Sequence, residues 1–304
     1  MFSIYYRAIK DEKLKKLEVP RLGSWINVID PEEKEKQYLV QLGIDSQFIE
    51  DALDPDELPR IEKVKETLYV ILSTPFEAEG KLFNIPFLVA ITPDIFVTIS
   101  KKPLVCIEAL LKEKDLYTTQ KTKNLLQICL KITQLYEKEI RNINKNIYTK
   151  KVNLAKLENK DIIALVEFEE ILNKFITSLV SLIGVFEKIL SGRYLEIFEK
   201  DQELTEDLII DSRQSLDMCK TSIKTIVNIR EAYSAILSNE LNKVMKFLTS
   251  LTIIIGVPTL IASIYGMNLS LPLENNPLAF LYIIFGNLLI TFGLVLIFYL
   301  KRWL

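Results

Sequence analysis

The 304-residue sequence contains no histidine, and its three cysteines lie far apart. Histidine is the commonest zinc and copper ligand and the usual general base, so its absence disfavours such metal sites and histidine-dependent hydrolysis. Cys106, Cys129 and Cys219 form no C-x-x-C pair, which favours buried free thiols in a reducing compartment. No nucleophile–base constellation and no G-x-x-x-x-G-K-S/T phosphate loop is present, so we expect no enzyme. A net charge of −2 argues against general nucleic-acid binding, which needs a basic surface.

Charged residues are missing from two long stretches near the C-terminus. No Asp, Glu, Lys or Arg occurs between Lys246 and Glu274, and none between Glu274 and Lys301. A helix needs roughly 20 mostly apolar residues to cross a bilayer, and both stretches are long enough. The sequence therefore predicts a transmembrane hairpin over 244–304, with spans at about 244–265 and 277–300 and a loop at 266–276. Residues 1–243 are rich in Lys and Glu and are expected to be water-soluble.

Basic residues also predict how the hairpin is oriented. Lys243 and Lys246 precede the first span, Lys301 and Arg302 follow the second, and the loop at 266–276 contains neither Lys nor Arg. By the positive-inside tendency, both ends of the hairpin face the cytoplasm and the loop faces outward. The N-terminal residues do not show the pattern of a secretory signal. We therefore expect a multi-pass protein of the cell membrane with both termini in the cytoplasm.

Residues 1–100 alternate short apolar runs with turn signals. Four runs are rich in β-branched or aromatic residues and predict strands: 25–29, 68–72, 87–91 and 95–99. Thr92, Pro93 and Asp94 predict a hairpin-type turn between the last two runs. Helical patterns occupy 31–42 and 45–53, and Asp45 or Ser46 is a suitable cap for the second. The sequence predicts an α/β lobe over 1–100.

Residues 101–243 are expected to form a cytoplasmic helical region that includes a stalk. Glycine is rare and proline is absent from Leu104 up to Pro258, apart from a break at Ser191 and Gly192. The patterns predict helices at about 103–115, 122–157, 160–191 and 202–265. The last of these would continue from the stalk into the first span. The predicted fold class is α+β, with a cytoplasmic α/β lobe and a long stalk helix entering a two-helix membrane region.

One face of the first span consists mainly of small or hydroxyl-bearing residues, with Asn242 and Met245 at its cytoplasmic end, and we call this face the polar stripe. Its members follow interleaved steps of three, four and seven residues: Asn242, Met245, Thr249, Thr252, Gly256, Thr259 and Ser263. Such a stripe either lets helices pack closely in lipid or lines an aqueous path. Two helices cannot enclose a pore, so the second interpretation requires several subunits around an axis.

The polar turn Tyr265–Gly266–Met267–Asn268 closes the first span, and with its context it resembles the CorA family of magnesium transporters. The segment 238–249 is similar to that family's stalk-to-membrane junction, and the closing residues 301–304 are similar to its C-termini. The architecture of the whole chain also resembles the family. The resemblance implies a homopentameric channel in the lipid bilayer whose long helix lines a central pore.

The resemblance also implies roles for individual residues. Gly266, Met267 and Asn268 would form a selectivity filter that binds hydrated Mg²⁺. Matching positions imply that the following residues line the pore: Asn242, Met245, Leu248, Gly256 and Thr259. Glu231 would stand at the cytoplasmic mouth, although a solvated pair with Arg230 is an equally good interpretation. Acidic positions imply regulatory Mg²⁺ bound between subunits: Glu50, Asp51 and Asp207.

Two departures from the family pattern concern the outer half of the hairpin. The proline comes one residue later than in the family, at Pro258, after Gly256 and Val257, and Glu274 is the loop's one carboxylate.

The expected function is Mg²⁺ influx down its electrochemical gradient, gated by intracellular Mg²⁺. The alternatives are transport of another divalent cation (Co²⁺, Ni²⁺ or Zn²⁺) and a membrane-anchored scaffold that transports nothing.

Overall fold

A computed structural model describes residues 1–152, 154, 157–268, 272 and 276–303. The chain divides into two compact units, Met1–Ile229 and Arg230–Leu304. The strands of the described residues are β1 (Phe2–Tyr6), β2 (Lys15–Leu17), β3 (Trp25–Ile29), β4 (Arg60–Val64), β5 (Thr67–Ala78), β6 (Lys81–Ile91) and β7 (Phe96–Ser100). The helices are α1 (Glu33–Gln41), α2 (Ser46–Asp51), α3 (Val105–Leu111), α4 (Lys121–Val152), α5 (Asn159–Leu190), α6 (Glu199–Tyr265) and α7 (Ala279–Leu300).

The strands form one seven-stranded sheet in the order β2-β1-β3-β7-β6-β5-β4. β3 and β7 pair in parallel, and the other neighbours are antiparallel. All four predicted strands are confirmed, and the predicted turn at 92–94 joins β6 to β7. The β5–β6 hairpin is longer than predicted because it continues to a two-residue turn at Glu79 and Gly80. Both turn residues have positive φ, 53° and 74°, as the tight turn of a twisted hairpin requires.

Two hydrophobic layers cover the two faces of this sheet. Along β5, Val70 and Leu72 point into the layer shared with α3–α6, whereas Tyr69 and Ile71 point into the layer beneath α1 and α2. This alternation follows from the two-residue period of a strand, and it explains why a sheet covered on both faces has continuous apolar runs. The first of these two layers packs α4 and α5 against the sheet.

A buried polar chain crosses the centre of the sheet between β3 and β7. The Nε1 of Trp25 donates to Oγ1 of Thr98 at 2.9 Å, and that hydroxyl donates to Oδ1 of Asn27 at 2.9 Å. All three residues are buried, so each polar atom needs a partner inside the protein. Thr98 satisfies both neighbours and thereby fixes how β3 lies beside β7.

The predicted helices are present with adjusted ends. α3 is shorter than 103–115, α4 ends at Val152 rather than 157, and α6 begins at Glu199 rather than 202. α6 and α7 each contain a segment long and apolar enough to cross a membrane. In α7 the side chains of Phe280, Phe285 and Phe292 are 66–72% exposed. Aromatic side chains with that exposure on an uncharged helix fit a lipid environment rather than water.

Candidate functional site

The polar turn follows directly from the end of α6. The N–H of Gly266 donates to the carbonyls of Ala262 (3.1 Å) and Ser263 (3.2 Å). The N–H of Met267 donates to the carbonyl of Ile264 (3.2 Å). These bonds tighten the final turn of the helix and leave Met267 and Asn268 exposed beyond it. The carbonyl end of a helix carries partial negative charge, so this position favours a cation.

The other end of the loop is held by Asn276. Its Oδ1 accepts a hydrogen bond from the N–H of Leu278 at 2.9 Å, one residue before α7 begins. Residues 269–271 and 273–275 lie outside the described part of the chain. The predicted loop carboxylate, Glu274, is among them, so its place relative to Asn268 stays a prediction.

Within the second unit, one face of α6 is turned toward α7. The residues with reduced exposure on the membrane segment of α6 are Ser250, Ile253, Ile254, Val257, Pro258 and Ile261. The carbonyl of Pro258 accepts a hydrogen bond from Nδ2 of Asn287 on α7 at 3.3 Å. Ser250 is fully buried, and its hydroxyl donates to the carbonyl of Phe247 at 2.8 Å.

The polar stripe lies on the side of α6 that faces away from Pro258. Pro258 is two residues after Gly256, and two residues correspond to roughly 200° around a helix. Every member of the stripe is exposed in the single chain, as is Leu248 beside it. The hydroxyls of Thr252 and Thr259 donate to the carbonyls of Leu248 and Ile255, both at 2.8 Å. Because the hydroxyl protons are used within the helix, the oxygen lone pairs remain available to accept from water or to face a cation.

No contact within the described residues explains why a glycine stands at position 256 of the polar stripe. A Cβ added there would meet no atom within 4 Å among the described residues. Glycine inside a helix costs about 1 kcal/mol relative to alanine, so space at Gly256 is useful only if something else approaches it. The polar stripe is therefore a surface that the second unit leaves uncovered.

Farther down α6, Met245 and Glu231 are also exposed. Met245 lies one turn before Thr249, at the predicted cytoplasmic entrance of the span. Glu231 stays open between its two interpretations, a cytoplasmic mouth and a solvated pair with Arg230, and its role stays a prediction.

The predicted regulatory carboxylates of the lobe are paired with basic side chains of the same chain. Oδ2 of Asp51 lies 2.6 Å from a terminal nitrogen of Arg60, and Oε1 of Glu50 lies 2.6 Å from Nζ of Lys36. Arg60 also contacts Glu57 and, at 2.7 Å through Nε, Glu62. Burial opposes the charge of Arg60, but its hydrogen bond to Glu62 and the charges of Glu57 and Asp51 outweigh that effect and raise its pKa.

Asp207 lies on the exposed surface of α6, apart from this cluster. Among the residues that the structure describes, no three Asp, Glu or Cys side chains are grouped so that they could hold a metal ion. One chain therefore does not bring Glu50, Asp51 and Asp207 together as a complete site. A site shared between two chains stays a prediction.

Sequence reasoning missed two residues near these sites. Arg60 is one of many basic residues, and nothing in its neighbourhood marks it as the partner of Asp51. Asn287 had a clearer signal, because it is the one carboxamide between Pro277 and Leu300 in an otherwise apolar segment. A side-chain amide within a membrane helix needs a hydrogen-bond partner, and this requirement could have predicted a contact with the other helix.

Comparisons with known proteins agree with this architecture. A family model described as "CorA-like Mg2+ transporter protein" matches residues 23–302. The cobalt/magnesium transport protein CorA of Methanocaldococcus jannaschii is 27% identical over 293 residues, which cover 92% of this chain and 91% of that protein. The complete structure of the CorA magnesium transporter from the same organism matches with a TM-score of 0.88 at 25% identity, over 100% of this chain and 99% of the other. The cytoplasmic domain of ZntB from Vibrio parahaemolyticus shares the fold, with a TM-score of 0.63 at 8% identity over 78% of this chain and 98% of that domain.

Proposed function

This chain belongs to the CorA family of divalent cation transporters, and we propose that it conducts Mg²⁺ into the cell down its electrochemical gradient. The observation that carries the proposal is the polar stripe of α6, which is exposed along its length and leads to the Gly266–Met267–Asn268 turn. A scaffold protein needs neither an uncovered polar face in a membrane helix nor a polar turn at its end.

The chemistry of the turn suits Mg²⁺. Mg²⁺ holds its octahedral water shell tightly and loses it reluctantly. The amide of Asn268 and the carbonyls of the turn offer dipoles that hydrogen-bond this water shell without displacing it. A ring of carboxylates would bind more strongly and release more slowly, whereas conduction requires binding weak enough for the ion to leave. Gly266 and Met267 shape the turn, and Asn268 acts as the selectivity residue.

An uncovered stripe on one helix implies several copies of the chain around a common axis. We propose a homopentamer in which the stripe and Leu248 face that axis, the number five being the one that the family resemblance supplies. In this arrangement Gly256 gives neighbouring helices room to approach. Met245 and Leu248 would form apolar rings at the cytoplasmic entrance, where dewetting can close a path. Glu231 would attract cations below them.

The proposed orientation places both termini and the α/β lobe in the cytoplasm. Lys243 and Lys246 before α6 enters the membrane, with Lys301 and Arg302 after α7, support it by the positive-inside tendency. A divalent ion that moves inward across about 100 mV gains roughly 4.6 kcal/mol, twice the value for one charge. This driving force is sufficient without nucleotide hydrolysis.

We further propose that intracellular Mg²⁺ regulates the channel through Glu50, Asp51 and Asp207. The ion would bridge carboxylates of neighbouring subunits and hold the pore closed, and its loss would leave like charges facing each other. Because Arg60 and Lys36 already neutralise Asp51 and Glu50, Mg²⁺ has to displace them. The double variant Asp51→Ala/Asp207→Ala should lose Mg²⁺-dependent protection from proteolysis, and protection equal to that of the wild type would contradict this role.

Transport of Co²⁺ is a second candidate because the relative from M. jannaschii is named for both cobalt and magnesium. Co²⁺ has a similar octahedral water shell, and a filter of amide and carbonyl dipoles would distinguish the two ions weakly. A dedicated path for soft metals is less consistent with a chain that lacks histidine.

The experiment that tests the proposal is ion flux into proteoliposomes with an imposed inside-negative potential and a trapped Mg²⁺-sensitive dye. Wild type should show potential-dependent influx, and Asn268→Ala should abolish most of it. Asn276→Ala, which removes the same side chain from the other end of the loop, should retain influx. No influx through folded wild-type protein would refute Mg²⁺ transport, and influx of Co²⁺ alone would favour the second candidate.

A further inference from the structure

Asn287 places a partly buried carboxamide on the otherwise apolar helix α7 of the second unit. It is the ninth residue of α7, which starts at Ala279, so it lies about 12 Å along the helix axis from that end. Pro258 lies seven residues before the end of α6 at Tyr265, which gives a comparable depth of about 10 Å. The two residues therefore meet at the same level, and the 3.3 Å bond from Nδ2 of Asn287 to the carbonyl of Pro258 joins the helices there.

Pro258 makes this level of α6 the one most easily bent. Proline has no N–H, so the carbonyl of Ile254 loses its helical donor, and the ring crowds the preceding turn. The carbonyl of Pro258 has two lone pairs and can accept from Asn287 in addition to its helical partner. The interhelical bond thus acts on α6 at its weakest point, on the side opposite the polar stripe.

We propose that Asn287 is a positioning residue that holds the outer half of α6 against α7 and so keeps the ion path open at Thr259 and Ser263. The inference rests on the proposed function, in which the stripe faces a central axis. With α7 behind α6, the bond restrains the segment 259–265 from bending at Pro258 toward that axis. Loss of the bond narrows the path at Thr259 and Ser263 but leaves the hydrogen bonds that shape the Gly266–Met267 turn in place.

The energetics of Asn287 argue against a purely stabilising role. Its Oδ1 is buried and accepts no hydrogen bond within the described part of the chain. A buried carbonyl oxygen without a donor is unfavourable, so replacing the whole carboxamide by an apolar group of similar size should be neutral or stabilising. The presence of asparagine at this depth is explained by the hydrogen bond from its Nδ2 to the carbonyl of Pro258, which holds α6 against α7.

The test compares Mg²⁺ influx through Asn287→Leu, Asn287→Ala and Asn287→Gln with wild type in proteoliposomes. The matched control is Thr291→Val, which removes a polar side chain one turn away whose hydroxyl donates to the carbonyl of Asn287 within α7 at 2.8 Å. Maximal flux should fall roughly threefold in the Leu and Ala variants, the size of an average interhelical hydrogen bond in a membrane. The Mg²⁺ concentration for half-maximal flux should change less than the maximal flux, because the variants leave the side chain of Asn268 and the hydrogen bonds of its turn in place.

Two further readouts separate positioning from stability. The midpoint of thermal unfolding of Asn287→Leu should equal or exceed that of wild type although its flux is lower, and Asn287→Gln should retain most of the flux. If Asn287→Leu does not assemble, Asn287→Ala decides the question. Flux through both apolar variants equal to that of Thr291→Val would overturn the inference while leaving Mg²⁺ transport intact. Absence of flux from wild type would overturn the proposed function and this inference together.

Discussion

Replacing Arg60 by methionine should lower the free energy of unfolding of the α/β lobe by about 3–4 kcal/mol in divalent-free buffer. The Arg60 side chain is 29% exposed, and its partners Asp51, Glu57 and Glu62 are 21%, 21% and 49% exposed. Hydrogen bonds to charged groups contribute about 1.5–3 kcal/mol each, and the low end applies to the two shielded partners because solvent still reaches them. The half-exposed pair with Glu62 adds about 0–1 kcal/mol.

Mg²⁺ should reverse part of that loss. Without Arg60 the carboxylate of Asp51 loses the cation that lies 2.6 Å from it, so Mg²⁺ can bind this carboxylate without displacing a guanidinium. At a concentration ten times its dissociation constant, a ligand that binds only the folded state adds about 1.4 kcal/mol. Millimolar Mg²⁺ should therefore stabilise Arg60→Met more than wild type, in which the guanidinium competes for Asp51.

The assay is denaturant unfolding of the full chain followed by the fluorescence of Trp25, which lies buried in the lobe. The sequence has two tryptophans, so a Trp303→Phe background makes Trp25 the sole reporter. Arg141→Met is the matched control, since Arg141 makes an exposed pair with Glu137 at 2.6 Å and its loss should cost less than about 1 kcal/mol. Equal stability of the two variants in EDTA, or equal stabilisation of wild type and Arg60→Met by Mg²⁺, would refute the reasoning.

Three further predictions concern the soluble unit. Thr98→Val leaves the indole N–H of Trp25 and the amide oxygen of Asn27 without the partner they have at 2.9 Å. The free energy of unfolding measured with denaturant should therefore fall by about 2–5 kcal/mol. A loss no larger than that of a surface substitution would contradict the buried hydrogen bonds of Thr98. Gly23→Ala should cost about 1–2 kcal/mol or more, because Gly23 has φ +81° and a Cβ would lie 2.8 Å from Cγ2 of Thr119; an unchanged thermal midpoint would contradict that close approach. Burial raises the pKa of the Cys106 and Cys219 thiols to about 12 and that of Cys129 as well, so at pH 8 maleimide should label the native protein only after denaturant is added; rapid native labelling would show that the thiols are accessible.

Apolar periodicity predicted the elements that are buried on both sides. β3, β7 and the cores of β5 and β6 are runs of fully buried residues, and α4 to α6 lack helix breakers over long stretches. The strands β1, β2 and β4 were not predicted. Lys15–Leu17 and Arg60–Val64 carry charged side chains because they lie at the two edges of the sheet, where few residues are buried.

The candidate site was predicted where local sequence decides it. Gly266, Met267 and Asn268 are consecutive, and the polar stripe follows from the period of one helix, so both are visible without tertiary structure. The ion pair between Arg60 and Asp51 joins an edge strand to the end of α2, and the bond from Asn287 to Pro258 joins two helices. Neither contact is encoded by spacing along the chain, because each depends on how separate elements pack.

The central claim is that ions pass along the polar stripe behind the Gly266–Asn268 turn, and cysteine accessibility tests it most directly. Ser263→Cys places a thiol on the stripe near the outer end of α6, and Ile264→Cys places one at the same depth about 100° around the helix, where Ile264 is 42% exposed. The native thiols are buried and leave the background silent. A cationic thiol reagent applied outside should block Mg²⁺ influx through Ser263→Cys, more slowly when Mg²⁺ is present, and should spare Ile264→Cys. Equal block of both variants, or unimpaired influx through labelled Ser263→Cys, would contradict the account.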